Sequence, residues 1–140
     1  MTNAAVSASA IDLHGISRAA FDLILAAEVT SEARYSRHLS GPTWPGEQSG
    51  VTIGCGYDVG QTTRQQFLAD WSGKIPDAML KALAKCCGVT GQAAGPSRKL
   101  CGLVVIPWDV ALEVFSNHDI PRYLAICRRL LSGFDELSPD

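Results

Sequence analysis

The sequence has 140 residues, of which 46% are apolar and 19% are charged, and this balance predicts one folded domain rather than a disordered chain. Its formal net charge of −2 gives no electrostatic reason to expect nucleic acid as a partner. The basic clusters, Arg122 with Arg128 and Arg129 and Arg98 with Lys99, are expected to be solvated surface. The apolar stretches are shorter than the roughly 20 residues of a membrane-spanning helix, so no membrane span is predicted.

The N-terminal region, residues 1–15, is predicted to be a flexible lead-in to one domain over residues 16–140. Its first ten residues have neither the basic start nor the apolar centre of a secretory signal. The chain is therefore expected to be synthesised in the cytoplasm.

A helix is predicted over residues 17–28, with Ser17 as its N-cap and Phe21, Ile24 and Leu25 on one apolar face. Glu28 stands at the end of this apolar stripe. Partial desolvation there would raise the pKa of the glutamate, which favours a role as a proton donor. The alternative is that Glu28 simply ends the helix and points into water.

A β-hairpin is predicted over residues 51–60, after a loop at residues 41–50 that is rich in proline and glycine. Apolar residues alternate with small or polar ones, which is typical of strands that pack one face. The apolar positions are Val51, Ile53, Cys55, Tyr57 and Val59. Thr52 and Asp58 share the other face, where together they could serve a bound substrate. Alternatively, Thr52 is only a residue of the strand and Asp58 only a solvated residue of a turn.

Two helices are predicted next, separated by glycine-containing turns. Thr63 and Gln66 resemble a capping box that opens the first of them, and Gly73 closes it. The second helix is expected to have Pro76 at its first helical position and to close at Gly88.

The remaining elements are predicted to be a loop, an apolar stretch and two further helices. The loop covers residues 88–97 and the apolar stretch covers residues 100–106. The helices are predicted at residues 108–117 and 121–131. The fold class is therefore α+β, mainly helical with a small β-hairpin subregion.

The chain contains five cysteines, an odd number whose spacing matches no zinc-binding pattern. They are Cys55, Cys86, Cys87, Cys101 and Cys127. Free thiols are the simplest interpretation, and a cysteine nucleophile is disfavoured because no histidine lies near Cys55 in the sequence. No metal site is predicted.

The hairpin sequence at residues 51–58, Val-Thr-Ile-Gly-Cys-Gly-Tyr-Asp, resembles the Thr-Ile-Gly-x-Gly motif of phage-type lysozymes, glycoside hydrolase family 24. The preceding helix, which ends in Glu28, also resembles that family. The Tyr-Asp pair after the second glycine and the Pro-Thr-Trp-Pro-Gly loop at residues 42–46 are most similar to the pesticin-like and prophage-endolysin variant. The resemblance is specific over residues 16–60 and looser beyond them.

The resemblance implies a muramidase that hydrolyses the β-1,4 bond between N-acetylmuramic acid and N-acetylglucosamine, with peptidoglycan glycan strands as its partner. It implies that Glu28 is the general acid and that Thr52 and Asp58 position or activate the attacking water. Standard phage enzymes carry their aspartate before the threonine, where Glu47 is the nearest acidic residue here and ranks below Asp58. The resemblance further implies two lobes joined by a long helix, and no metal or cofactor.

Three interpretations other than a muramidase are compatible with the sequence. A non-catalytic peptidoglycan-binding module would use aromatic platforms such as Trp44, Tyr57 or Trp108. An inactive prophage remnant is suggested by the acidic pI of about 5.9, which is unusual for a wall-degrading enzyme. A lytic transglycosylase is disfavoured because it would need no water-activating partner such as Thr52 or Asp58.

The resemblance also implies that the stretch at residues 137–140 leads into further helices that complete the larger lobe. The C-terminal lobe is therefore expected to be incomplete, and the chain alone to be poorly stable and weakly active. Part of the apolar set on the last two predicted helices is expected to remain exposed and to support self-association. The set consists of Val110, Val114, Leu124, Ile126, Cys127, Leu130 and Leu131.

Overall fold

The computed structural model describes residues 11–140, which are mainly helical with one small antiparallel sheet, and this confirms the α+β class. The helices are α1 (Arg18–Val29), α2 (Glu32–Arg34), α3 (Arg64–Trp71), α4 (Asp77–Ala84), α5 (Ala94–Leu100), α6 (Trp108–Val114) and α7 (Ile120–Leu130). The strands are β1 (Thr52–Ile53) and β2 (Tyr57–Asp58). Among the described residues, none of the helices is both long and apolar enough to cross a membrane.

The predicted N-terminal lead-in lies partly outside the described residues, since its first ten positions are not among them. Within residues 11–15, Ile11 and Leu13 pack against the core. The Ser116 hydroxyl donates to the Asp12 carbonyl at 3.0 Å, and a ring nitrogen of His14 lies 2.7 Å from the Ser116 carbonyl. This short segment is therefore attached to the helical body.

Helix α1 begins and ends close to the predicted positions. The Ser17 hydroxyl accepts a hydrogen bond from the Ala20 amide at 3.0 Å, as an N-cap should. After Thr30, whose φ of 66° breaks the helix, α2 begins and runs into a π-helical turn at Tyr35–Leu39. The sequence analysis missed this second helical segment because its residues are mostly polar and show no apolar periodicity.

The predicted hairpin is confirmed by the pairing of β1 with β2. Thr52 is opposite Asp58 and Ile53 is opposite Tyr57, in an antiparallel register. Three residues form the turn, and its two glycines have φ values of 57° and 75°, which side chains other than glycine rarely adopt. All five apolar positions of the alternating pattern are buried. Thr43 pairs with Thr52 on the open edge of β1, which fastens the preceding loop to the hairpin.

Helices α3 and α4 confirm two of the predicted helices, with small differences at their starts. The Thr63 hydroxyl caps the Gln66 amide at 3.1 Å, but the Gln66 side chain donates to Asp70 instead of completing a capping box. Pro76 is the N-cap of α4 and not its first helical residue. Gly73 and Gly88 follow the two helices with positive φ, as predicted.

The loop predicted at residues 88–97 is wrong, because a 3-10 turn at Gly91–Ala93 leads directly into α5. Pro96 lies in the first turn of α5, where a missing amide hydrogen removes no intrahelical hydrogen bond. A Cβ added at Gly95 would lie 3.3 Å from the Trp44 ring, so α5 packs closely against that indole. Tertiary packing of this kind is invisible in the local sequence.

Helices α6 and α7 confirm the last two predicted helices to within a few residues. A π-helical turn at Phe115–Asp119 joins them into one continuous path. Of the apolar residues predicted to stay partly exposed, Val114 and Leu124 are buried, whereas Ile126, Leu130 and Leu131 are exposed. Part of the set is therefore exposed, as predicted, and its exposed members lie on α7 and at its C-cap.

Candidate active site

Glu28, in the last turn of α1, contacts the turn of the hairpin. A Cβ added at Gly56 would collide with the Glu28 carboxylate, whose Cδ would lie only 2.9 Å away. The glutamate is exposed as a whole residue, yet this contact partly desolvates its carboxylate, and the desolvation raises its pKa above the ordinary value of 4.5. Both predicted features, the position at the helix end and the raised pKa, are therefore present.

Asp58 lies at the base of the same hairpin, directly opposite Thr52. Its carboxylate accepts hydrogen bonds from the Gly50 amide at 3.1 Å and from the Gln61 amide at 3.3 Å. A Cβ at Gly50 would lie 2.6 Å from Oδ1, and one at Gly60 would lie 3.2 Å from it. Asp58 is therefore held by backbone donors between two glycines, and it also caps the 3-10 turn that follows β2.

Thr52 shares the strand pair with Asp58 but has its own hydrogen bond. Its hydroxyl donates to the Gly50 carbonyl at 3.2 Å, and the side chain is half-buried. Glu47, the lower-ranked acid, is exposed in the preceding loop with a left-handed φ of 55°. The hairpin therefore brings Thr52 and Asp58 together, while Glu47 belongs to a separate loop.

An ion pair between a buried aspartate and a partly exposed arginine lies behind the hairpin turn. The Tyr57 hydroxyl donates to the Asp70 carboxylate at 2.7 Å, and Arg122 of α7 donates to the same carboxylate. The Gln66 amide donates to the second oxygen of Asp70 at 3.0 Å. Asp70 is fully buried, and these donors satisfy its charge. The expectation that Arg122 is solvated surface is wrong, because its guanidinium is committed to this pair.

His118 and Lys74 extend this pair towards the surface. Nδ1 of His118 lies 3.2 Å from Asp70, and the Lys74 ammonium lies 2.8 Å from Nε2. Burial, followed by the nearby Lys74 charge, lowers the pKa of His118 below 6.5. A neutral ring fits both contacts, with Nδ1 donating to the carboxylate and Nε2 accepting from the ammonium.

Asp119 is a second buried carboxylate near the site. Arg122 lies 3.6 Å from it, and burial, partly offset by that arginine, raises the pKa of Asp119 to about 7. The charge of Glu28 contributes to this rise, so the two carboxylates are close enough to interact electrostatically. Glu28 therefore lies within electrostatic reach of a buried acid, Asp119.

The aromatic residues considered as glycan platforms differ in accessibility. Tyr57 is 4% exposed and its ring meets Trp71 edge-on, so it cannot offer a face to a sugar. The indole nitrogen of Trp44 donates to the Ser49 carbonyl, and Trp108 packs against Tyr35, which leaves each half-buried. Within residues 11–140, no cluster of three or more histidine, cysteine or acidic side chains could hold a metal ion.

The sequence analysis missed Asp70, Asp119 and His118 and assigned Arg122 no function. Only short-range signals were available for them: Gln66 is one helical turn before Asp70, and Asp119 is one turn before Arg122. The contact between Asp70 and Arg122 spans 52 positions and has no local signature.

The model of a family described as a domain of unknown function, DUF8812, matches residues 22–99. The matched range begins in α1, includes Glu28 and the whole hairpin, and ends in α5. No curated protein and no solved structure matches the chain.

Proposed function

We propose that this chain, which belongs to the family of domains of unknown function DUF8812, is a muramidase of the phage-lysozyme type. Its substrate is peptidoglycan, in which it hydrolyses the β-1,4 bond between N-acetylmuramic acid and N-acetylglucosamine. Its fold is lysozyme-like, and it acts on the cell wall after release or translocation from the cytoplasm. The observation that carries the proposal is the contact of the Glu28 carboxylate with the turn of the hairpin that presents Thr52 and Asp58.

Glu28 is the general acid in this mechanism. A leaving-group oxygen must receive a proton as the glycosidic bond breaks, so the acid has to retain its proton near neutral pH. The raised pKa of Glu28 increases the protonated fraction, and its exposed position leaves the carboxyl open to a bound glycan. By contrast, the Asp58 carboxylate accepts hydrogen bonds from two backbone amides, which fix its orientation.

Thr52 and Asp58 position the attacking water. The register places them side by side on one face of the hairpin, where a hydroxyl and a carboxylate can both contact one water molecule. Because the Asp58 carboxylate is also held at the base of the hairpin, its role is to orient the attacking water as much as to accept a proton from it. No described residue outside this hairpin and α1 is required for the minimal acid-and-water mechanism.

The alternatives use the same site differently. A glycan-binding module would retain affinity without forming product, and a lytic transglycosylase would leave anhydromuramic ends. Trp44 and Trp108, both half-buried, are the aromatic residues on which a binding module would depend. The chemical nature of the product therefore separates these functions.

The test is a turbidity assay on purified, outer-membrane-stripped cell walls, with the products analysed by mass spectrometry. We expect reducing muramic ends from the parent chain. We expect Glu28→Gln, which preserves size but removes the donated proton, to lower the rate by at least about 10²-fold. Glu28→Gln should unfold at nearly the same temperature as the parent, since the residue is exposed.

Glu32→Gln is the matched control, because Glu32 is an exposed glutamate in the neighbouring α2 and undergoes the same chemical change. It should keep the parent rate. Equal rates for Glu28→Gln and the parent would refute the assigned acid, whereas anhydromuramic products would refute hydrolysis itself. Binding to the walls without any product would favour the non-catalytic module.

A further inference from the structure

Two buried cysteines, neither of which belongs to the candidate active site, contact each other. Cys86 follows α4 and Cys101 follows α5, and their sulfur atoms lie 3.5 Å apart. The side chains are 2% and 1% exposed. The adjacent positions Cys86 and Cys87 suggested unpaired thiols from the sequence, and the helical connection that brings Cys101 back to Cys86 was not predicted.

The surroundings of the two sulfurs favour a bond between them over a structural role as separate thiols. Both Sγ atoms point towards one acceptor, the Ala82 carbonyl, at 3.9 Å from Cys86 and 3.7 Å from Cys101. A thiol is a weak donor, and two of them share this one acceptor, so little hydrogen bonding is lost on oxidation. Since a disulfide bond is about 2.0 Å long, the sulfurs need to approach by only about 1.5 Å.

A metal ion is a poor alternative occupant of this position. Zinc sites in proteins take three or four ligands, and no such group of metal-binding side chains exists in the described part of the chain. The neighbouring Cys87 is half-buried and has its own surroundings, beside Arg64 and Lys85 in a shallow depression. With a metal ion disfavoured, the reaction that suits two facing thiols in an apolar interior is the formation of a bond between them.

We propose that Cys86 and Cys101 form a reversible disulfide that ties the end of α4 to the end of α5, with a small-molecule disulfide as the oxidant. One cysteine thiolate attacks the oxidant, which forms a mixed disulfide and releases one thiolate. The second cysteine then attacks the protein sulfur of the mixed disulfide, which forms the Cys86–Cys101 bond and releases the second thiolate. The two cysteine protons end on the two released thiols, so the protein loses two hydrogens and the oxidant is reduced.

The bond would form slowly and then persist. Burial raises the pKa of Cys86 to about 12, so few molecules carry the thiolate that must attack. The oxidant must also reach the sulfurs, which requires local opening of the segment around Cys101. This segment is weakly packed at its surface, since Leu100 and Leu103 are 81% and 91% exposed. The dithiol would thus remain reduced in a reducing compartment, and in an oxidising one the crosslink would last until a reductant reaches it.

The test is incubation of the folded chain with oxidised glutathione, followed by alkylation of free thiols, digestion and peptide mass spectrometry. We expect a crosslinked peptide that joins Cys86 to Cys101 and that disappears after reduction with dithiothreitol. Because the bond closes a loop of about 15 residues, the oxidised chain should melt roughly 5–10 °C higher than the reduced chain. The crosslink should also form when Cys55, Cys87 and Cys127 are all replaced by alanine.

Cys86→Ala and Cys101→Ala are the controls, and neither should gain stability from the oxidant. If either of them fails to fold, the crosslink map of the parent chain alone decides the question. Alkylation of both Cys86 and Cys101 after full oxidation of the half-buried thiols, Cys87 and Cys127, would overturn the proposal. A bond mapped to Cys87, whether with Cys86 or with Cys101, would also overturn it. Since the readout is covalent and thermal, the result is independent of any muramidase activity.

Discussion

Asp119 is a carboxylate with little access to solvent, and its protonation should affect the stability of the whole chain. Its pKa is about 7 in the folded chain, against an ordinary value of 3.8. The folded state therefore binds this proton more tightly than the unfolded state does. Stability should be highest when Asp119 is protonated and should fall as the pH rises from about 4 to about 7.

We predict that Asp119→Asn flattens this pH dependence, because the amide resembles the protonated acid and has no charge to desolvate. The penalty removed above pH 7 is at most about 4 kcal/mol, and this figure already includes the favourable charge of Arg122. Urea unfolding at pH 5 and pH 8 measures the difference. Asp109→Asn, at an exposed position of α6, should keep the pH dependence of the parent. Parallel stability curves for Asp119→Asn and the parent would contradict the prediction.

The hairpin turn connects local backbone geometry to the chemistry of Glu28. Gly56 has a φ of 75°, and its Cα lies against the Glu28 carboxylate. Any side chain at this position would strain the turn and push the glutamate away. Because the carboxylate is the end of a flexible side chain, it would move more easily than the backbone. The turn therefore determines where the proposed acid lies, and how far it is desolvated.

We predict that Gly56→Ala lowers stability by about 1–2 kcal/mol and returns the pKa of Glu28 towards its ordinary value. Titration of the Glu28 carboxyl by NMR measures the second effect without any assay of activity. Gly73→Ala is the matched control, because Gly73 has a φ of 79° and nothing within 4 Å of an added Cβ. Gly73→Ala should show the same loss of stability, and the titration of the Glu28 carboxyl should be the same as in the parent. An unchanged titration in Gly56→Ala would mean that the turn is not the cause of the raised pKa.

The elements that sequence predicted well are those with strong local signals. Ser17 and Thr63 are N-caps, and the alternation through residues 51–60 placed Thr52 and Asp58 on one face, although their direct pairing across the hairpin was not predicted. Helix α5 was missed because Gly95 and Pro96 read as loop residues, although the proline is tolerated in a first turn and the glycine receives the Trp44 ring. Local propensity gave the wrong answer where packing between distant segments decided the structure.

The buried groups behind the site also could not be predicted from local sequence. Asp70 is in the last turn of α3, where the sequence alone does not show that a carboxylate is buried, and its partners come from β2, α3 and α7. The two cysteines at residues 86 and 101 meet for a similar reason, since an unpredicted helix lies between them. Glu28, Thr52 and Asp58 could be selected from the sequence because they match a motif. The charged groups near them could not, because tertiary contacts bring those groups together.

At the scale of the whole molecule, one face of α7 exposes a row of large apolar side chains. Tyr123, Ile126 and Leu130 follow one another at helical spacing and are 38%, 43% and 72% exposed, with Leu131 beside them. Leu103 is more exposed still, but it lies in the segment after α5 and outside this stripe. A contiguous apolar stripe on one helix face favours association.

We predict that the chain self-associates through this α7 stripe, and that the double variant Ile126→Gln with Leu130→Gln weakens the association by at least roughly 10-fold. Each replaced side chain contributes about 1.5–3 kcal/mol when fully buried, and a 10-fold change requires only about 1.4 kcal/mol. Glutamine is chosen because it keeps helix propensity and adds no charge next to Arg128 and Arg129. Both side chains are exposed, so the melting temperature of the dilute chain should hardly change.

Light scattering coupled to size exclusion, over a range of concentrations, measures the association, with Leu103→Gln as the control that should behave like the parent. A parent chain that remains a monodisperse monomer at every concentration would disprove the prediction, and equal weakening by Leu103→Gln would place the contact elsewhere.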